Sequence, residues 1–450
     1  MNPNYYWMIF HVVLGISCAF NPYFLVIWFY LFSTTSLYIA LSDIILKNTI
    51  STFIPIIIYL SSLEVFARML RLSPFIPWEL SKYLIIVLSL FLLFSGKVQR
   101  PNIKGFLLLM MLIPGFFIDH SHLVTKSDIY FNLLGSVSLS LFIIIISFKT
   151  YYNNELDIIL RLIWYSCVSL LTYVILKTPN YDNLEFGLGA NFFASGGFGS
   201  NQVSSILGIG LFLSFYAWIN RLRYSGNQLI DGIFIGLFSL QGFMTFSRGG
   251  MFVGILAIVI YFYFLRTSKY FKKIIKIRAL RPMLFFSLGF TILLSSYLLI
   301  SSISDGNLSL RYLGETSSTI SGNVEKSIDT ITTGRYSIFY EDLLLWFDYP
   351  VFGTGAGASK YLREHKSLSH TEISRLLCEH GLFGLIFILI ILSLGRDAFL
   401  NNKFNSSKAL LISLFFIAFA TGMHSAMRTF ITPIFLSLST LIVIDKDEII

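Results

Sequence analysis

Four arginines and two histidines stand out in this sequence: Arg248 in FSRGGMF, Arg335 in TGRYSIFY, His370 and Arg375 in SHTEISRLL, and His424 and Arg428 in GMHSAMRTF. An arginine presents a planar fork of N–H donors that matches phosphate oxygens two at a time and keeps its charge. Several arginines together suit a diphosphate. Where that diphosphate is a leaving group, they stabilise its developing negative charge without requiring a metal. Such a reaction also needs a base for an incoming hydroxyl, and His370 is the first candidate, with Glu372 as its rival. Ser369 and Glu372 also fit a capping box, in which the carboxylate only closes a helix turn. Glu372, Arg375 and Glu379 fall at i, i+3 and i+7, so they share one helix face and can form an ionic stripe. His370 has no such structural explanation. It stands at a helix N-terminus, whose field lowers an imidazole pKa and keeps the ring available as a base.

Other chemistries find little support. Cys18, Cys167 and Cys378 are an odd number in three separate apolar segments, with no CxxC and no metal-ligand spacing, and are expected to be core side chains. No metal or other cofactor is expected. The string GTGAGASK at 353–360 lacks the Gly-Lys-Ser/Thr ending of a phosphate loop and follows a predicted helix instead of a strand, so that reading is rejected.

Membrane helices must position these residues. Of 450 residues, 55% are hydrophobic and only 13% charged, and the mean hydropathy is +0.73; soluble domains carry roughly 25% charged residues. Apolar runs such as YLIIVLSLFLLFSG and MFVGILAIVIYFYFL recur along the chain. With their flanks they reach the ~20 residues needed to cross a ~30 Å hydrocarbon core. The expected architecture is all-α: a polytopic integral membrane protein of about 12–14 transmembrane helices, forming a single membrane-embedded domain over residues 1–450. Spans are predicted at 5–20, 22–41, 49–66, 77–96, 103–119, 130–149, 155–177, 201–220, 229–246, 248–266, 282–302, 373–394, 408–424 and 429–444. A soluble globular enzyme is excluded. Residues 1–20 contain no Lys or Arg, so they lack the basic region of a cleaved signal peptide and are expected to form the first span.

A net charge of +9 in a soluble chain would suggest nucleic acid, but here basic residues report orientation first and no nucleic-acid partner is expected. With both termini cytoplasmic, the inner loops collect Lys97, Arg100 and Lys104, then Arg221 and Arg223, then Arg396, Lys403 and Lys408. The densest cluster, TSKYFKKIIKIRALR, holds Arg266, Lys269, Lys272, Lys273, Lys276, Arg278 and Arg281. It reads as a topology determinant, with contact to anionic membrane lipid as a second reading.

That orientation puts two substantial segments outside. The first, 178–200, mixes five glycines with Phe186, Phe192, Phe193 and Phe198 and reads as an interfacial lip or a stacking face for sugars. The second, 303–372 between spans 11 and 12, contains an amphipathic helix in which Tyr336, Phe339, Leu343 and Trp346 or Phe347 recur at helical spacing. That helix is predicted to start at Arg335 and stop at Asp348-Tyr349-Pro350, before a loop loosened by Gly353, Gly355 and Gly357. Any one of the arginines alone reads as a snorkelling anchor. Their shared side argues for function, because ionisable groups in a helical bundle are expensive. A diphosphate whose lipid tail stays in the bilayer fits such a site.

These residues resemble the O-antigen ligase and O-antigen polymerase superfamily of bacterial membrane glycosyltransferases. The matching pieces are Ser247-Arg248-Gly249-Gly250 before a span, Gly334-Arg335 followed by Trp346 and Gly353-Thr354-Gly355, His370 before Glu379-x-Gly381-x-x-Gly384, and Asn201 opening the eighth span. They cover the C-terminal half in order, and the first 190 residues match only as a row of spans. The resemblance implies inverting transfer of a glycan from undecaprenyl diphosphate at the periplasmic leaflet, with neither metal nor nucleotide sugar. It implies Arg248 and Arg335 as diphosphate binders and His370 as the base. Arg375 and Arg428 are further diphosphate candidates, and Asn201, Glu379 and His424 are acceptor or supporting candidates. Ligases often carry Asn after this His, whereas Thr371 and Glu372 follow here, which favours a polymerase, with a chain-length regulator as a possible partner, and leaves the identity of the base open. A lipid-linked oligosaccharide flippase is the competing class, but the sequence shows no repeated halves.

Overall fold

The computed structural model describes residues 2–47, 50–180, 184–266, 280–402 and 405–444. Lys269, Lys272, Lys273, Lys276 and Arg278 of the basic cluster, and Lys403, lie outside the described residues. The protein is almost wholly helical. Its apolar helices are α1 (Pro3–Phe20), α2 (Tyr23–Lys47), α3 (Phe53–Ser62), α4 (Glu64–Met69), α5 (Leu80–Phe94), α6 (Ile103–Phe117), α7 (Lys126–Ile146) and α8 (Asn153–Lys177) in the first half. Helices α9 (Ser200–Asn220), α10 (Gln228–Met244), α11 (Arg248–Arg266) and α12 (Leu280–Ile303) follow. Among the described residues, eight helices are long and apolar enough to cross a membrane, and Leu80–Phe94, Ile103–Phe117 and Gln228–Met244 are shorter apolar ones. Many large apolar side chains, among them Phe94 and Phe117, lie exposed on the helix surfaces, as befits a polytopic membrane protein whose solvent is lipid.

Polar residues set the helix starts. Asn2 caps α1 with Pro3 at the first helical position, Asn102 caps α6, and Thr125 with Asp128 closes a capping box on α7.

Each of the fourteen expected spans contains a helix, but two of them are not single long helices. The expected span 49–66 breaks at Leu63 into α3 and α4, where Ser61, Ser62 and Glu64 interrupt the apolar run. The last expected span, 429–444, forms only the nine-residue helix α20 (Ile431–Ser439), about 14 Å long at 1.5 Å per residue. It continues into strand β2 (Ile442–Ile444), which pairs in parallel with β1 (Thr150–Tyr152) in the register Thr150↔Ile442. Three-residue strands are too short to show an alternating pattern, so neither was expected.

The segment 303–372 folds as short helices: α13 (Asn307–Tyr312), α14 (Ser317–Ile320), α15 (Ile328–Thr332), α16 (Arg335–Asp348) and α17 (Ser359–Leu362). Thr316 and Ser327 begin α14 and α15 with capping boxes. Helix α16 has the expected bounds, but Ile338, Asp342 and Leu345 form its buried face, while Tyr336, Tyr340, Leu344 and Phe347 are exposed. Then come α18 (Glu372–Asn401) and α19 (Asn405–Ser425).

Candidate active site

Close backbone packing positions the first arginine. A Cβ on Gly250 would lie 2.3 Å from the Ser204 and Ser205 backbone, and one on Gly254 2.4 Å from the Gly208 carbonyl. Small residues therefore let α11 and α9 touch along their backbones, which fixes Arg248 at the head of α11. Ser247 Oγ accepts a hydrogen bond from Ser204 Oγ and donates one to Asn201 Oδ1, both at 2.9 Å. Gly249 presses against the His424 ring, 3.0 Å from a built Cβ. The SRGG string is thus a packing device from which the Arg248 side chain projects.

Arg248 reaches into the 303–372 segment. Its Nη1 donates to the Arg311 carbonyl at 2.9 Å and its Nη2 to the Ile331 carbonyl, so it ties α13 and α15 to the bundle. On the other side, Ala426 donates its N–H to the His370 carbonyl at 3.0 Å, and Arg428 Nη2 donates to the Ser369 carbonyl at 3.0 Å. These ties gather Arg248, Arg311, Arg335, Arg428, His370 and His424. Arg335 lies within electrostatic range of Arg248 and Arg428, Arg311 of Arg248 and Arg335, and His424 of Arg335 and His370.

Several of these groups have unused hydrogen-bonding capacity. Neither ring nitrogen of His424 nor Nε of Arg311 makes a hydrogen bond, though all three are buried. Burial and the positive neighbours Arg248 and Arg335 push the Arg311 guanidinium down to about 10. Burial, Arg428, Arg335 and Arg363 lower the His370 imidazole to about 4, so the ring is neutral at pH 7. By elementary electrostatics, a cluster of like charges with unfilled hydrogen-bonding capacity attracts anions.

Glu372, Arg375 and Glu379 lie on the adjacent side, where the charges are paired. The capping-box expectation fails: Thr371 is the helix cap, and Ser369 donates to Asp342 Oδ2 at 3.1 Å instead. Glu372 is buried, accepting from Arg375 Nη2, from Ser136 Oγ at 3.2 Å and from the Met427 N–H at 3.2 Å. Arg375 also donates to the Asn132 carbonyl at 2.9 Å. Glu379 Oε1 accepts from Ser359 Oγ at 2.7 Å and Asn132 Nδ2 at 3.2 Å. These groups border a cavity of about 460 Å³, which Arg428 also lines. Arg428 therefore faces both compartments.

The glycine motifs hold this wall together. Gly381, at φ 58° and ψ −131°, breaks the helical path of α18, which frees the carbonyls of Cys378 and Glu379 from their helical partners. Thr354 N–H donates to the first at 2.8 Å and Gly355 N–H to the second at 3.1 Å. Gly353 and Gly355 adopt φ of 75° and 100°, a region open chiefly to glycine, and a Cβ on Gly355 would sit 1.9 Å from the Ile118 carbonyl. The GTGAGASK loop thus directs its N–H groups into the fold, with Ala356 N–H on the Gly115 carbonyl at 2.8 Å.

The structure brings together Arg248, Arg335, His370, His424 and Arg428, with Asn201 joined through Ser247, and places Glu372, Arg375 and Glu379 on the cavity wall. Sequence reasoning missed Arg311 and a charged quartet of buried Glu64, Arg68 and Lys82 with half-buried Glu79. Arg68 pairs with Glu64 at 2.9 Å and Glu79 at 3.0 Å, and Lys82 with Glu64 at 3.2 Å. Arg68 and Lys82 also donate to the Arg428 carbonyl, at 2.8 and 2.6 Å. The available signal was Glu64 and Arg68 at i, i+4 beside an apolar run, an unusual pair at the edge of a span. The Arg363–Asp342 pair at 3.1 Å was missed too. Among the described residues, no group of three or more His, Cys, Asp or Glu side chains is arranged to hold a metal ion. No family model matches the chain, and no curated protein matches it.

Proposed function

We propose that the chain is a glycosyltransferase of the bacterial inner membrane, using an undecaprenyl-diphosphate-linked glycan as donor and acting as a polymerase of surface-polysaccharide repeat units. In this reading the long apolar helices traverse the bilayer with both termini cytoplasmic, and the cationic cluster faces the periplasm. One observation carries it: Arg335 lies within electrostatic range of Arg248, Arg311, Arg428, His370 and His424, Arg248 is tied to the Arg311 carbonyl at 2.9 Å, and hydrogen-bonding capacity is left unfilled at Arg311 and His424. A lipid diphosphate supplies the negative charge and acceptor oxygens such a site lacks.

The chemistry follows from the arrangement. The acceptor hydroxyl attacks the anomeric carbon, its oxygen forms the new bond, and the bond from that carbon to the diphosphate oxygen breaks with inversion. The proton passes to neutral His370, and undecaprenyl diphosphate leaves with its charge held by the arginines. The diphosphate also prepares the base. His370 is held low in part by Arg428, Arg335 and Arg363, and an anion that neutralises them raises its proton affinity.

A polymerase is favoured over a ligase by the Thr371-Glu372 sequence that follows His370. The glycan profile of a deletion strain tests this. Loss of a polymerase leaves single repeat units on the surface lipid, loss of a ligase leaves none, and an unchanged profile overturns the glycosyltransferase reading.

A further inference from the structure

The cavity beside the cationic cluster has a different chemical character. Six of its charged wall groups form three ion pairs: Lys82 with Glu79, Lys360 with Asp128, and Arg375 with Glu372. Arg363 is paired with Asp342 behind the wall. Arg428, at the boundary, is the lining cation without a carboxylate partner among the described ion pairs. The cationic cluster attracts anions, while the cavity offers many donors and acceptors with little net field.

Two of its polar atoms are unfilled. Glu379 is buried, and its Oε2 makes no hydrogen bond although Oε1 makes two; the Gly357 backbone lies near the carboxylate without closing a bond to Oε2. Arg375 Nε is likewise buried and unpartnered. Such groups are costly to leave unsatisfied. The aromatic faces of Trp78 and Phe131 are exposed at the same cavity. Trp78 is fixed in place: the Arg68 guanidinium lies 5.5 Å from its ring centroid, and Arg68 Nε donates to its carbonyl at 2.6 Å.

A ligand that suits this space is uncharged, rich in hydroxyls that both donate and accept, and flat enough on one side to rest on an aromatic ring. A volume of about 460 Å³ falls within the range of small-ligand sites, roughly 300–1,000 Å³. We propose that this cavity holds the sugar end of a lipid-linked glycan, with Glu379 accepting from a sugar hydroxyl and Arg428 marking the boundary with the diphosphate site. The inference rests on the diphosphate reading of the cationic cluster. The glycan belongs either to the donor or to the acceptor molecule, and the same experiment separates the two.

The test uses the full chain in detergent with Phe131→Cys, whose thiol reports on the cavity; Cys18, Cys167 and Cys378 are all buried. The probes are lipid-linked glycan extracted from the native cells and undecaprenyl diphosphate that bears no sugar. Retention of the bare lipid diphosphate is measured in parallel. At a glycan concentration about ten times its Kd, thiol labelling slows about tenfold, because the free fraction falls by that factor. The bare lipid diphosphate binds without slowing it. Protection that follows the same concentration dependence as occupancy of the diphosphate site assigns the sugar to the donor, and protection at a second, higher concentration assigns it to the acceptor. Glu379→Gln weakens the protection and leaves retention of the bare lipid unchanged. If the bare lipid is retained but the glycan gives no protection, or if the bare lipid itself protects, the sugar site is wrong and the diphosphate site stands. If the bare lipid is not retained, the diphosphate reading fails first.

Discussion

Ala426 donates its backbone N–H to the carbonyl of His370 at 3.0 Å. Two residues further on, Arg428 donates to the carbonyl of Ser369, the residue before His370. The 369–370 and 426–428 backbones are therefore laced together, so the candidate base and one candidate phosphate ligand move as a unit. The same 428 carbonyl is gripped by Arg68 and Lys82. Position in this site is set by backbone ties from remote segments, not by local sequence.

Arg335 is the most direct probe of the cationic cluster. Arg335→Ala should reduce transfer by about 30- to 900-fold, the equivalent of about 2–4 kcal/mol for a charge-assisted contact made at the transition state. Arg335→Lys should restore little, because a point charge does not reproduce a two-pronged fork. Polymer output is measured at matched protein level, and a normal chain distribution from Arg335→Ala would make this residue an interfacial anchor only.

The pH dependence should carry the signature of the cluster. His370 is lowered to about 4 by burial and by Arg428, Arg335 and Arg363, and the neutral ring is the active form. The acid limb of kcat/KM, which reports the free enzyme, should therefore fall near pH 4 instead of near the ordinary 6.5. The limb in kcat should lie higher, since bound diphosphate offsets the arginines. A limb near 6.5 in both profiles would contradict the arrangement.

Much of this was legible in sequence, for identifiable reasons. Helix α16 starts at Arg335 and stops at Asp348 as predicted, although it buries a different face from the one its aromatic spacing marks. Arg248, Arg335, His370, His424 and Arg428 come together, and expecting that needed only a count of which helix ends share a side, which tolerates errors of several residues. Long-range partners were not legible. Glu372 looked like a cap because Ser369 stands three residues before it, and nothing local reveals Ser136 or the Met427 N–H as its partners. Arg311 was overlooked because RYLGE has no pattern of its own and matters only through Arg248 and Arg335. The break at Gly381 is visible only once the Gly353–Gly355 loop is seen to satisfy the carbonyls it frees.

The charged quartet should be a stability element with a functional consequence. Lys82→Met removes one partner from Glu64 and Glu79 and deletes a bond to the Arg428 carbonyl. Breaking a buried ion pair on one side is strongly destabilising, about 3–5 kcal/mol. Thermal unfolding of the detergent-solubilised protein should show a clearly lowered midpoint. A midpoint equal to that of the parent chain would mean that water reaches the quartet and screens it.

The two candidates for the base differ in what their replacement removes. His370 meets its neighbours through its backbone carbonyl, so His370→Ala should leave a folded protein that still retains undecaprenyl diphosphate and transfers no sugar. Glu372→Gln is a structural lesion instead. The carboxylate accepts from Arg375, Ser136 and the Met427 N–H, and an amide fills at most one of its oxygen positions with an acceptor. One buried donor is left facing another, which costs about 1–3 kcal/mol. Glu372→Gln should therefore lower the yield and melting temperature while the folded fraction still turns over. Measuring turnover per folded molecule separates the two variants. A well-folded but inactive Glu372→Gln together with an active His370→Ala would reverse the roles, making the carboxylate the base and the imidazole a bystander in the arginine cluster.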